Sequence, residues 1–255
     1  MIDKEFLREN AVESLRLERF RNYSHLDLRL SPGFNVVSGP NAQGKTNLLE
    51  ALYLVGTTRL LRGQKDVEAI QDGAERAAVE VELAHSGTRI GVTLERGTRK
   101  RARINGLALP RAADLIGRLP VVCVSAADMA IVRGEPADRR LFLDLELSAL
   151  SPAYLHHFAL YKRAQEQRGA LLRQSRERAI PADLYEPWEV AMAMHGAHVR
   201  AARVDYVSRL IAPTQEVHAQ MGGGEAMGLR YEPKDEATDE EGLRSLLESS
   251  RLQDV

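Results

Sequence analysis

Apolar and polar positions alternate twice between residues 14 and 30, as they do in strands that bury one face. The pattern predicts two strands joined through a turn at Arg21-Asn22-Tyr23. Similar runs, some alternating and some wholly apolar, predict further strands at residues 34–39, 79–83, 89–94, 102–104 and 121–124. The first part of the chain is therefore expected to be rich in sheet.

The period changes to helical spacing in the second part of the chain. Residues 137–178 contain few helix breakers, and a second helical stretch runs from Trp188 to Met221 after an interruption at Pro181. Two long helices with a short break between them predict an antiparallel pair. Residues 226–255 are acidic and are expected to form a mobile tail.

These changes predict three parts, which are a head over residues 1–135, a helical lobe over 136–225 and the acidic tail over 226–255. The chain has 255 residues, 44% hydrophobic and 28% charged, as in proteins that bury a core. Its one cysteine excludes an intrachain disulfide framework. An apolar run long enough for a membrane span is missing from the sequence, and its first residues lack an apolar signal core. We expect no membrane partner and a cytoplasmic location.

The net charge of -1 hides an uneven distribution. Residues 1–178 hold 28 basic and 22 acidic side chains, a balance of +6, whereas residues 179–255 hold 7 and 14, a balance of -7. A basic first part suits a polyanionic partner, and it is equally compatible with a solvated arginine-rich surface.

The strand predicted at 34–39 leads into the pattern Gly-x4-Gly-Lys-Thr, which is typical of a phosphate-binding P-loop. Glycines let the backbone curl so that its N–H groups surround an anion, while the lysine reaches the β- and γ-phosphates and the threonine hydroxyl ligates Mg²⁺. The pattern predicts that ATP and Mg²⁺ bind at Gly39, Pro40, Asn41, Ala42, Gln43, Gly44, Lys45 and Thr46, with Thr46 as the metal ligand.

Four stretches, in this order, resemble the RecF family, which comprises bacterial recombination mediators related to SMC and ABC-type ATPases. They are residues 20–23, the P-loop extended through Ala51, residues 132–144 and residues 154–172. The resemblance implies an α/β fold, with an ABC/SMC-like P-loop ATPase head and an inserted helical lobe of long antiparallel helices.

The resemblance also implies a function in DNA repair, replication, recombination and the SOS response. It implies slow DNA-dependent ATPase activity, ATP-dependent homodimerisation of the full-length form, and DNA binding at duplexes and single/double-strand junctions. RecR would be a partner in loading RecA at gaps. Arg21, Asn22 and Asn47 would join the P-loop in binding the nucleotide, although the first two also suit a plain hairpin turn. The segment around Asp128 would take the place of the loop that senses the γ-phosphate and Mg²⁺; alternatively, Asp128 is a helix N-cap or a solvated carboxylate.

The sequence departs from the family in one respect. The signature segment and the Walker B strand of ABC-type ATPases are not recognisable, and in the family they lie nearer the C-terminus. Asp144 falls in a helical pattern and is interpreted as a solvated side chain. We therefore assign no catalytic residue and expect that this chain lacks the hydrolytic half and hydrolyses ATP inefficiently.

Basic residues after the P-loop helix and beside the Asn105-Gly106 turn could contact DNA phosphates. They are Arg59, Arg62, Lys65, Arg99, Lys100, Arg101 and Arg103. The alternative for the last four is a charged edge strand that opposes aggregation. Three other classes remain open from the residues alone, namely an ABC transporter subunit, a P-loop metabolite kinase and a structural SMC-like protein.

Overall fold

The structure is a computed structural model that describes residues 11–61, 65–222 and 224–252. Its internal contacts divide the chain into two compact units, one ending at Arg139 and the other beginning at Arg140. This division falls inside a helix, Pro136–Leu150, whereas the sequence suggested a boundary after residue 135.

The first unit contains an antiparallel sheet. Its strands, in chain order, are β1 (Val12–Phe20), β2 (Tyr23–Arg29), β3 (Arg76–Leu83), β4 (Arg89–Glu95), β5 (Arg101–Ile104) and β6 (Leu107–Ala108). Their order across the sheet is β2-β1-β3-β4-β5-β6, and each neighbouring pair is antiparallel. The alternating pattern had predicted most of these strands, and the turn at Asn105 and Gly106 is confirmed, with φ of 50° and 81°.

The register of the sheet explains its buried face. Leu17 lies opposite Leu26 of β2 and Val79 of β3, and Val79 in turn lies opposite Val92 of β4. Leu17, Val79 and Val92 are all buried, while Arg16, next to Leu17, is on the opposite face. A sheet with one apolar face needs a covering layer.

Helix α1 (Lys45–Thr57) packs into this same core through Ala51, Leu54 and Val55, which are fully buried. It begins directly after Gly44. Thr58 caps its C-terminal end by donating its N–H to the Leu54 carbonyl at 2.8 Å. Gly56 lets the backbone near Val121 approach closely, since a Cβ there would lie 2.4 Å from the Val121 side chain.

Two predicted strands, at residues 34–39 and 121–124, are not strands in the structure. Phe34, Val36, Val122 and Val124 are almost fully exposed. An apolar run becomes a strand only where a neighbouring strand satisfies its N–H and C=O groups, and in the described residues no strand pairs with either run. The hydrophobic pattern alone could not show whether either run has a partner strand.

The remaining helices are α2 (Met129–Arg133), α3 (Pro136–Leu150), α4 (Pro152–Ser175), α5 (Glu186–Gln220) and α6 (Glu240–Ser249). The stretch 137–178 that was predicted as one helical run is thus broken between α3 and α4. Ser151 caps α4 by accepting the N–H of Tyr154 at 3.2 Å, and Pro152 occupies the first turn. Among the described residues, none of the helices combines the length and hydrophobicity that a bilayer crossing requires.

Helices α4 and α5 form the predicted antiparallel pair. Tyr154 near the start of α4 contacts Arg203 in the middle of α5, and Arg168 late in α4 contacts Glu189 early in α5. Asp144 of α3 joins this packing, because it accepts hydrogen bonds from the Tyr154 hydroxyl at 2.5 Å and from Arg203. The interpretation of Asp144 as a solvated side chain was wrong, since its side chain is only 13% exposed.

The segment predicted as an acidic, mobile tail contains α6, which packs against α5. Asp239 caps α6 by accepting the N–H of Gly242 at 2.8 Å. Beyond the helix, Arg251 pairs with the buried Glu189, which also accepts from Arg168 at 3.1 Å. Burial of the Glu189 carboxylate opposes its ionisation, but its two guanidinium partners lower its pKa overall.

Candidate nucleotide-binding site

The P-loop has the backbone shape that its sequence predicts. Gly39, Ala42 and Gly44 have positive φ angles of 142°, 65° and 96°. These angles turn the chain sharply between residue 39 and the start of α1. Glycine adopts them without a Cβ penalty, which explains two of the three positions.

Lys45 extends over this curl. Its Nζ donates to the carbonyls of Gly39 at 2.7 Å and Pro40 at 2.6 Å. The ammonium group is therefore held at the start of the loop, while its own backbone opens the helix at the end. A cation in this position can bind the oxygens of a polyphosphate.

The N-terminus of α1 adds to the positive field around the loop. The first turn of the helix contains no acidic residue that would compete with an anion. Thr46 is exposed there, so its hydroxyl is accessible to a metal ion. The residues present thus fit a Mg²⁺-bound nucleotide, with Lys45 as the cation for the phosphates and Thr46 as the metal ligand.

Asn22 and Asn47 were predicted to bind nucleotide, and the structure places both at the loop. Asn47 donates from Nδ2 to the Oδ1 of Asn22 at 2.8 Å. Asn22 in turn donates from its own Nδ2 to the Gln43 carbonyl at 3.2 Å. The β1–β2 turn, which contains Asn22, is therefore in direct contact with the P-loop.

Arg21, the third such candidate, lies beside the P-loop helix. It has a positive φ of 54°, and its guanidinium donates to both carboxylate oxygens of Glu50, at 2.7 and 3.0 Å. A third contact joins it to the Glu68 carbonyl at 2.8 Å. Glu50 is on α1 and is only 4% exposed, so this pair links the β1–β2 turn to the helix.

Asp128 makes a local contact with a residue three positions before it in the chain. It lies at the end of the short 3₁₀ helix Ala126–Asp128, just before α2. Its Oδ2 accepts the N–H of Ser125 at 2.5 Å, and the Asp128 N–H donates back to the Ser125 carbonyl at 3.1 Å. At the start of α2, which the structure describes in full, Asp128 makes no side-chain capping hydrogen bond to that helix. A sensing role for Asp128 stays a prediction.

The basic DNA candidates fall into two groups. Most of those near β5 are paired with acids, namely Lys100 with Asp66, Arg101 with Glu95 and Arg103 with Glu80. Lys100 also donates to the Thr58 carbonyl at 2.6 Å, which joins the end of α1 to the start of β5. Pairing of this kind leaves these three side chains with less free charge for DNA phosphates, and β5 lies between β4 and β6 in the sheet.

The other DNA-contact candidates that the structure describes have exposed side chains. Arg59, Lys65 and Arg99 are exposed. Arg59 directly follows Thr58, whose carbonyl accepts from Lys100. Lys65 directly precedes Asp66, which is the ion-pair partner of Lys100. Arg62 lies outside the described residues.

Known proteins that resemble this chain support both the fold and the geometry of the loop. A family model for the RecF/RecN/SMC N-terminal domain matches residues 11–225. The DNA replication and repair protein RecF of Agathobacter rectalis is 37% identical over 225 residues, 87% of this chain and 62% of that protein. The RecF protein of Symbiobacterium thermophilum is also 37% identical, over 93% of this chain and 64% of that protein. The chain belongs to the RecF family.

A solved structure supports the fold of this RecF-family chain. It is described as the recombination mediator protein RecF with ATP in the RecFOR pathway, and it matches 95% of this chain with a TM-score of 0.88 and 25% identity. The predicted ABC/SMC-like P-loop head is therefore confirmed. This chain spans 68% of that protein and less than two thirds of the two relatives named above.

One buried acid beside the loop, Glu50, was not predicted to take part in the site. Glu50 was recognised only as part of the helix after the P-loop, and no role was assigned to it. Its partner Arg21 is 29 residues away, so the ion pair has no short-range signature. The available signal was an acid in the middle of the apolar run Leu48-Leu49-Glu50-Ala51-Leu52, where burial would demand a cation.

Proposed function

We propose that this chain is the ATP-binding part of a RecF-type mediator of DNA repair and recombination. The observation that carries the proposal is the P-loop, in which Lys45 contacts the Gly39 and Pro40 carbonyls at the N-terminus of α1. This loop lies in a chain whose fold matches that of a RecF protein described with ATP.

The backbone N–H groups of the loop and the Lys45 ammonium would hold the phosphates, and the Thr46 hydroxyl would ligate Mg²⁺. Lys45 gives up its two carbonyl acceptors when a phosphate takes their place, and a charge-assisted hydrogen bond to phosphate is the stronger contact. The exposed position of the loop leaves the nucleotide open to a further protein surface. This openness supports ATP-dependent dimerisation of the whole protein.

DNA binding, cooperation with RecR and the loading of RecA at gaps are part of the same proposal for the whole protein. They are supported by family membership and by the RecFOR pathway in which the RecF–ATP protein is placed. The exposed Arg59, Lys65 and Arg99 would contribute phosphate contacts.

Calorimetry with Mg·ATP tests the proposal directly. We expect the unaltered chain to bind Mg·ATP and Lys45→Ala to bind at least about tenfold more weakly, because a charged hydrogen-bond donor to the phosphates is lost. The matched control is Lys162→Ala, which removes an exposed lysine of α4 that donates to Gln165 at 2.7 Å. It should bind as the unaltered chain does.

Two outcomes would contradict the proposal. Failure of the unaltered chain to bind Mg·ATP would refute an ATP-binding function for this loop. Equal affinities of the unaltered chain and Lys45→Ala would place the nucleotide elsewhere.

A further inference from the structure

The side chain of Asn22 connects the β1–β2 turn to the P-loop through a single peptide group. Its Nδ2 donates to the carbonyl of Gln43 at 3.2 Å, and its Oδ1 accepts from Asn47 at 2.8 Å. The contact with Asn47 fixes which end of the Asn22 amide faces Gln43, because only the nitrogen can donate to a carbonyl.

The close packing of Asn22 against the loop is equally specific. A Cβ at Gly44 would lie 2.6 Å from both the oxygen and the nitrogen of the Asn22 amide. The Asn22 side chain thus fills the space beside Gly44 and contacts the peptide that joins Gln43 to Gly44.

The turn that presents Asn22 is itself firmly held. Arg21 donates to both oxygens of the buried Glu50 on α1, and its backbone N–H donates to the Ala69 carbonyl at 2.8 Å. Asn22 therefore starts from a backbone that is fixed relative to the P-loop helix. A contact made from such a fixed point can hold the loop in one shape.

In a trans peptide the C=O and N–H groups point in opposite directions. When Asn22 holds the Gln43 carbonyl on one side, it turns the Gly44 N–H to the other side. We propose that Asn22 is a positioning residue that aims the Gly44 N–H at the phosphates and does not contact the base or ribose. The inference rests on the proposed ATP-binding function of the same loop.

This role differs from that of a side chain that binds the base or ribose of the nucleotide, and the two roles differ in what they recognise. A residue that shapes the phosphate-binding backbone affects any polyphosphate. A residue that contacts base or ribose affects only the nucleotide. Inorganic tripolyphosphate, which has no base or sugar, therefore distinguishes them.

The experiment measures the affinities of the unaltered chain, Asn22→Ala and Gln71→Ala for Mg·ATP and for magnesium tripolyphosphate. Gln71→Ala is a matched control, because Gln71 donates an amide hydrogen bond to Ser24 of the same hairpin at 3.0 Å. We expect Asn22→Ala to weaken both ligands by the same factor, about tenfold, which is the usual effect of one lost hydrogen bond. Gln71→Ala should bind both ligands as the unaltered chain does.

The other possible results would contradict either the inference or the proposed function. Weaker ATP binding with unchanged tripolyphosphate binding would show that Asn22 contacts the base or ribose, and would overturn the inference. Unchanged binding of both ligands by Asn22→Ala would overturn it too, as would an equal loss in Gln71→Ala, because the effect would then belong to the hairpin as a whole. Failure of the unaltered chain to bind either ligand would instead refute the proposed function.

Discussion

Gly44 is held by two separate constraints. Its φ of 96° lies in the left-handed region, which costs an L-residue about 1–2 kcal/mol. In addition, a Cβ at this position would lie 2.6 Å from the amide of Asn22. A glycine elsewhere in the sheet unit, Gly97, has a φ of 71° but nothing within 4 Å of its Cβ position. Comparing variants of the two glycines therefore separates the effect of the backbone conformation from the effect of packing against Asn22.

Gly44→Ala should therefore destabilise the chain more than Gly97→Ala does. Both variants carry the backbone cost, but only the first also forces the Asn22 amide to move and give up its hydrogen bonds with Gln43 and Asn47. Urea denaturation of both variants measures the difference. The double variant Gly44→Ala with Asn22→Ala should recover part of the loss, since the amide that clashes is gone. Equal losses in the two single variants would show that packing at Gly44 is unimportant.

For single residues, the sequence predicted a role correctly where that role depends on residues adjacent in the chain. The P-loop spacing located Gly39, Gly44 and Lys45 correctly, because a tight curl is built from consecutive residues. Glu50 and Asp144 were not understood, because the partners that bury them, Arg21 and Arg203, come from distant segments. An acidic side chain looks the same in a sequence whether it is solvated or paired.

Helices α4 and α5 bring four histidines together. The Nδ1 atoms of His157 and His195 are 3.0 Å apart, and the ring of His198 stacks on His157 with centroids 4.0 Å apart. His156 lies edge-on to both His157 and His195. Burial lowers the pKa of His157 and of His195, and the neighbouring imidazoles lower both pKa values further. Glu240 of α6 opposes this effect at His195.

We expect the helical unit to lose stability as the pH falls below about 6.5, the ordinary pKa of histidine. The unfolded chain takes up protons there, while the folded chain, whose histidine pKa values are lowered, does not. Stability is therefore greatest above the unfolded pKa and falls as acid is added. Denaturation at pH 7.5 and pH 5.5, followed by helical circular dichroism, measures the difference.

The control for this prediction compares two single variants. His157→Gln removes a titrating group from the cluster and should reduce the pH dependence. His85→Gln removes an exposed histidine of the sheet unit and should leave it unchanged. If both variants keep the pH dependence of the unaltered chain, the cluster is not its source.

The elements themselves show what a pattern can and cannot predict. The long helix α5 and the strands β3 and β4 were found because each carries its own period. The break before Pro152 could have been found, since Ser-Pro is a helix-start signal. The errors at 34–39 and 121–124 were unavoidable, because strand formation there depends on a partner that a local pattern does not show.

At the scale of the whole molecule, the positive charge of the first unit is less available than its sequence suggests. Lys100, Arg101 and Arg103 each face an acid, so their charges are partly neutralised before any DNA arrives. The exposed Arg59 and Arg99 are better placed to meet phosphates. DNA binding by this chain would then rest on a few open cations and should be strongly salt-dependent.

Duplex affinity measured over a range of salt concentrations tests this distribution. The double variant Arg59→Ala with Arg99→Ala should reduce the slope of log K against log salt by about two, since each phosphate contact contributes about 0.9. The matched control, Arg176→Ala with Arg178→Ala, removes two exposed arginines of the helical unit. It should keep the original slope. The same slope in both double variants would contradict a role for Arg59 and Arg99.

The apolar runs at 34–37 and 121–124, which pair with no strand among the described residues, affect how this chain behaves at high concentration. Their apolar side chains, Phe34 and Val124 among them, are exposed. Such segments are templates for intermolecular β-pairing. Concentrated solutions of the 255-residue chain are therefore prone to aggregate through these runs, and a charged residue in place of Val36 or Val122, both exposed, is the simplest change that would oppose it.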